Sequence, residues 1–178
     1  STISQTVEQT SGYSMIQNDG ELVIVDSKGE GKISYKDSGK GGNYISNTIT
    51  NRGTLTIKSG IIENLTSEDA AKIGFAYTID TSIWGEASEV IVNIEGGTVQ
   101  SVYSPLRVRA DVATEKVEAN IAGGDIYGRI DLQMSSSNAG AIGILNISGG
   151  TFNFDPTEWV EDGYVATKVG DNWVVSAK

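Results

Sequence analysis

The chain has 178 residues, 22 of them glycine and two proline, with a net charge of −10 and neither cysteine nor histidine. That composition excludes disulfide staples, Ser-His-Asp and Cys-His nucleophilic sites, and the usual zinc ligand sets. The acidic balance speaks against a nucleic-acid partner, which wants a basic stripe. No stretch approaches the roughly 18 apolar residues of a membrane-spanning helix, so no membrane insertion is expected.

Taken in chain order, residues 1–18 carry only scattered apolar positions: Ile3, Val7, Tyr13, Met15 and Ile16. They read either as an N-terminal cap strand or as an arm that orders on a larger assembly. The opening STISQTVEQT has no basic flank and no apolar run, so no leader is expected. From residue 19 a degenerate coil follows, with strands expected at Leu22–Val25 and Lys32–Tyr35. Gly29, Gly31, Gly39, Gly41 and Gly42 mark turns there, and no phosphate-loop pattern appears. Lys28, Lys32, Lys36 and Lys40 recur every fourth residue, but the glycines among them oppose a helix. They read as a solvated rim.

A phrase then returns. Residues 55–62 read LTIKSGII, 92–99 VNIEGGTV, 119–126 ANIAGGDI and 145–152 LNISGGTF. Ile57, Ile94, Ile121 and Ile147 are separated by 37, 27 and 26 residues. Such recurrence is the signature of stacked copies of one unit, and the uneven intervals suit a solenoid with loops of varying length. Within each phrase alternation marks a strand. The glycine step turns a corner where the backbone needs positive φ or where backbones crowd. The inward sets are Leu55, Ile57, Ile62; Val92, Ile94, Val99; Ala119, Ile121, Ile126; and Leu145, Ile147, Phe152. A third strand per turn is expected from Phe75, Tyr77, Ile79, from Leu106, Val108 and from Ile130, Leu132, Met134. Residues 19–154 thus predict an all-β fold, a right-handed parallel β-helix (solenoid) of about five coils.

Residues 155–178 predict a C-terminal cap of a short helix plus a hairpin. Asp155-Pro156-Thr157-Glu158 resembles a helix start, and Gly163 would end it. Two strands flank Gly170-Asp171-Asn172. Trp159 and Trp173 read as cap core rather than ligand stackers.

Glycoside hydrolysis needs only two suitably placed carboxylates. The adjacent acid pairs, Glu68-Asp69 and Glu161-Asp162, fall in expected loops or caps and read as solvent-facing charge. Calcium loop spacings are absent, so neither metal nor cofactor is expected. One constellation stands out: Arg107, Arg109 and Arg129 are expected on the outward side of third strands in neighbouring coils, with Asp131 beside one of them. The plain interpretation is an exposed Arg-Asp ladder, each pair contributing ~0–1 kcal/mol. The functional one is an anionic-glycan contact or a subunit interface. Tyr103, Arg107, Arg109, Tyr127, Arg129 and Asp131 are therefore the candidate ligand or interface residues.

The stretch from Asn47 to Ile57, the Gly-Gly-Thr phrases, Tyr103-Ser-Pro-Leu-Arg-Val-Arg109, and Gly149-Gly-Thr-Phe-Asn-Phe-Asp-Pro156 with Gly163-Tyr164 and Trp173 together resemble a family of β-helix proteins from tailed bacteriophages and gut-type bacteria. The resemblance spans roughly residues 20–175. It implies a non-catalytic structural and adhesive virion protein on the virion surface: a head fibre or capsid-decoration shaft exposing a face that binds glycans or a host surface. It further implies a homotrimer, attached to a capsid or other virion protein, and it carries no catalytic residues. Two alternatives stand beside it: a bacterial cell-surface or secreted adhesin module, and a tailspike-like polysaccharide lyase or hydrolase.

Overall fold

The computed structural model describes residues 1–7, 13–37, 45–67, 75–82, 89–110, 115–134 and 142–178. In chain order the strands come in threes. The first three are β1 (Thr2–Val7), β2 (Tyr13–Asn18) and β3 (Glu21–Ile24), followed by β4 (Lys32–Asp37), β5 (Ser46–Asn51) and β6 (Thr54–Ile57). Next come β7 (Ile61–Asn64), β8 (Ala76–Ser82) and β9 (Glu89–Ile94), then β10 (Thr98–Ser101), β11 (Ser104–Ala110) and β12 (Lys116–Ile121). The last set is β13 (Asp125–Tyr127), β14 (Asp131–Met134) and β15 (Ile142–Ile147), with β16 (Gly150–Phe152) opening one more.

Every third strand pairs in parallel. Sheet A holds β1, β4, β7, β10, β13 and β16; sheet B holds β2, β5, β8, β11 and β14; sheet C holds β3, β6, β9, β12 and β15. The result is a three-sided parallel β-solenoid. Its registers stack like on like. Ile24, Ile57, Ile94, Ile121 and Ile147 form one interior row on sheet C. Ile3, Ile33, Ile62, Val99, Ile126 and Phe152 form another on sheet A. All twelve inward residues expected from the four phrases are buried.

The Gly-Gly corners have a direct steric cause. A Cβ on Gly96 would sit 2.5 Å from the Lys58 carbonyl oxygen, and Gly97 adopts φ 80 beneath the Gly60 carbonyl. The backbones of successive corners touch, which leaves no room for side chains. Asparagine closes other corners. Asn51 Nδ2 donates to the Ile91 carbonyl and Asn64 Nδ2 to the Ser46 and Tyr77 carbonyls.

Residues 2–7 and 13–18 supply β1 and β2, the edge strands of sheets A and B. At the other end, a 3-10 turn at Thr157–Trp159 is followed by the hairpin β17 (Tyr164–Val169) and β18 (Asn172–Ala177). The hairpin loop is Gly170-Asp171, since Val169 pairs with Asn172, and Gly170 takes φ 62 as its first position demands. β18 adds antiparallel to β16, and Val160 bridges to Ile147, so the cap covers sheets A and C. Trp159 and Trp173 pack against the core. Asp155 Oδ1 accepts from the Thr157 amide and hydroxyl, which holds its carboxyl below the usual range.

Three expectations change. Phe75 does not continue the inward row of β8: it sits before the strand at φ 57 and is 44% exposed. Lys32 leaves the solvated rim to pair with buried Glu63 at 3.2 Å. Leu132 is only partly buried. The Met134 side chain, Gly39, Lys40, Gly41, Gly42, Glu68 and Asp69 lie outside the described residues.

Candidate functional site

The outer side of sheet B is unlike that of sheet C. Simple alternation would expose every second residue of a single-walled strand. On sheet C it does: β9 and β12 alternate buried with half-buried or exposed positions. On sheet B, β5 and β8 are buried at every position and β11 at all but one. Much of what is buried there is polar.

One outward row runs Thr50, Asp80, Arg107, Asp131 across four strands. Arg107 Nε donates to Asp80 Oδ1 and Nη2 to Asp80 Oδ2, both at 2.7 Å. Both residues are buried, so this is a desolvated bidentate pair whose geometry must be good to offset the loss of water. Burial alone would lower the Arg107 guanidinium; the adjacent Asp80 carboxylate outweighs it and raises it. The guanidinium lies over the Tyr77 ring, 4.7 Å from its centroid. Tyr77 Oη donates to Asp131 Oδ2 at 2.8 Å, and burial, then this bond, push the phenol up. Tyr103 meets Tyr77 and Phe75 edge-on, at 5.6 and 6.0 Å between centroids.

Two clefts open over this network. The larger, about 420 Å³, is lined by Asn47, Arg52, Asp80, Arg107 and residues of β2 including Tyr13. The smaller, about 250 Å³, is lined by Tyr103, Ser104, Arg129 and Asp131. Arg107 and Tyr77 lie between the two: one contacts Asp80, the other Asp131. In connectivity, the segments 8–12, 38–44, 68–74, 83–88, 111–114 and 135–141 each join a strand of sheet B to a strand of another sheet.

The structure sorts the six candidate residues. Tyr103, Arg129 and Asp131 share the smaller cleft. Arg107 is not part of an exposed ladder; it is 2% exposed and bound to Asp80. Asp131 does stand beside it in register. Arg109 aligns with Ser82 and Gln133, half-buried. Arg129 is not on a strand but in the connection just before β14, and it is exposed. Tyr127 lies on β13 of sheet A, away from the row. Sequence reasoning missed Asn47, Arg52 and Asp80 as site residues and placed Tyr77 in the core. Their one signal was polar content where β5 and β8 needed only solvent-facing filler.

Among the described residues no group of three or more acidic side chains is placed to hold a metal ion. No protein family, curated protein or solved structure matches the chain. The class the fold defines is a parallel β-solenoid.

Proposed function

We propose that the protein is a non-catalytic display module, a rigid shaft that presents the outer side of sheet B to a surface glycan. The observation that carries this is the contrast between sheets B and C: on sheet B the outward row around Asp80 and Arg107 is buried and cross-linked beside two clefts, whereas sheet C alternates buried with half-buried or exposed positions. The smaller cleft suits a sugar ring. Tyr103 and Phe75 offer aromatic surface, Arg129 a cation and Asp131 an acceptor.

A polysaccharide-cleaving reading is less well supported. Glycosidases flank the scissile bond with two carboxylates. Among the described residues each cleft has one, Asp80 or Asp131, and both Asp80 oxygens are held by Arg107 and Asn47.

The resemblance in the sequence places such a module on a bacteriophage head, as a fibre or decoration shaft assembled as a homotrimer on a capsid protein. A bacterial surface adhesin is the competing setting. An array of bacterial surface polysaccharides tests the binding reading: retention is expected, without release of reducing ends, and Tyr103→Ala with Arg129→Ala should weaken it. Steady release of reducing ends would contradict the non-catalytic reading. Light scattering giving only monomer, alone and with isolated capsids, would contradict the trimer.

A further inference from the structure

Asn47 is buried and its amide orientation is settled by its neighbours. Nδ2 donates to Asp80 Oδ2 at 3.1 Å and to Thr50 Oγ1 at 2.9 Å. A carboxylate only accepts, so the amide nitrogen must face Asp80 and the carbonyl oxygen must face away. Arg107 holds Asp80 in place from the other side. Among the described residues Asn47 Oδ1 is then left buried with no hydrogen-bond partner. Arg52, on the same cleft, has the complementary defect: its Nε is buried with no acceptor among the described residues. Its nearest acid, Asp19, stands 4.0 Å from Nη1. Buried polar atoms are normally satisfied, and each orphan calls for an explanation.

Resting on the glycan-display reading, we infer that the larger cleft over Asn47 and Arg52 is a subsite for an uncharged, hydroxyl-rich ligand such as a neutral hexose unit. A hydroxyl both donates and accepts, so neighbouring hydroxyls meet an orphan acceptor and an orphan donor together. A carboxylate would suit Arg52 but face Asn47 Oδ1 and Asp80. An ammonium would suit Asn47 Oδ1 but face Arg52 and Arg107. The cleft, about 420 Å³, lies in the size range of small-molecule sites. Its walls can give: Tyr13 is 39% exposed and the Arg52 side chain 33%.

Saturation-transfer NMR with lactose, cellobiose and digalacturonate tests this on the whole chain. The neutral disaccharides should bind, and Asn47→Leu and Arg52→Met should each weaken them by about tenfold, the worth of a lost hydrogen bond. Arg52→Met keeps the test valid should Asn47→Leu fail to fold. Digalacturonate binding in place of the neutral sugars overturns the subsite's assignment. So does neutral binding that survives both substitutions but falls with Tyr103→Ala; in either case the display reading stands. Failure of all three sugars here together with failure of the polysaccharide array removes both.

Discussion

Sheets B and C are wound from the same repeat yet are finished differently on the outside. Sheet C carries a solvent-facing asparagine row, Asn120 donating to Asn93 and Asn146 to Asn120, with Lys116 bridging exposed Glu89 and half-buried Glu118. Sheet B carries Arg107 and Asp80 locked out of water, with Tyr77 against the guanidinium. The interior rows of sheet C are aliphatic, and sheet B shares one such row in Ile16, Ile49, Ile79 and Leu106 while its next row mixes Asn18, Asn51 and Thr81 with Val108. Core packing therefore explains the shaft but does not require the polar network on sheet B, because sheet C stands without one. A buried ion pair is poor as a source of stability and is better explained by what it positions.

The shared core gives the largest expected effect. Ile121→Asp places an unpaired charge between Ile94 and Ile147, a cost of several kcal/mol, and should abolish cooperative melting by circular dichroism. A normal melt would show that the interior rows are misplaced.

The second effect separates the faces. Arg107→Ala strands Asp80 in a buried site and should lower stability by about 3–5 kcal/mol in urea denaturation. Arg107→Met combined with Asp80→Leu should recover most of that loss. Failure of the double variant to recover would mean that the pair itself, and not its desolvation, holds the wall.

Between these extremes lies the Gly-Gly corner that joins sheet C to sheet A. Gly97→Ala must fit a Cβ 2.5 Å from the Gly60 carbonyl at φ 80, and should cost at least about 1–2 kcal/mol. Stability unchanged by that substitution would show that the corners are loose.

Sheet A supplies a titratable contrast. Burial would raise the Glu63 carboxyl, but hydrogen bonds from Ser34, Gln100 and Lys32 outweigh it and hold it below its ordinary value of 4.5. A depressed carboxyl contributes stability above its unfolded value, and that contribution is lost as pH falls through the folded one. Glu63→Gln should therefore lower stability at neutral pH and flatten the decline below about pH 4.5. A parallel acid limb in wild type and variant would contradict this. The smallest effect belongs to sheet C: Lys116→Ala should leave the denaturation midpoint unmoved, because its pairs are screened at the surface.

The interior of the shaft was legible because two local rules coincide there. Period-two apolar alternation names the inward side, and paired glycines name the corner, as at Ile94 and Gly96-Gly97. Parity does not say whether the outer side is wet. Arg107 was placed on the correct side of β11 but assigned to solvent, since its burial depends on residues remote in sequence. Phe75 fits the alternation of Tyr77 and Ile79, yet the backbone reverses at φ 57 and swings it out. The corner asparagines had a signal that went unused: Asn18 and Asn51 each stand two residues before a glycine, and each accepts that glycine's amide. Residues 2–7 pair through their backbone with β4, while Ile3 on the open end stays 60% exposed, so their strand leaves little apolar imprint.

The central claim is that the outer side of sheet B is a built binding face and that of sheet C a passive wall. Amide chemical-shift mapping during titration with neutral and acidic oligosaccharides tests it most directly. The account predicts shifts confined to the neighbourhood of Asn47, Asp80, Ser104 and Asp131, with Asn93, Asn120 and Asn146 unmoved. Shifts centred on the asparagine row of sheet C, or none on either sheet, would contradict it.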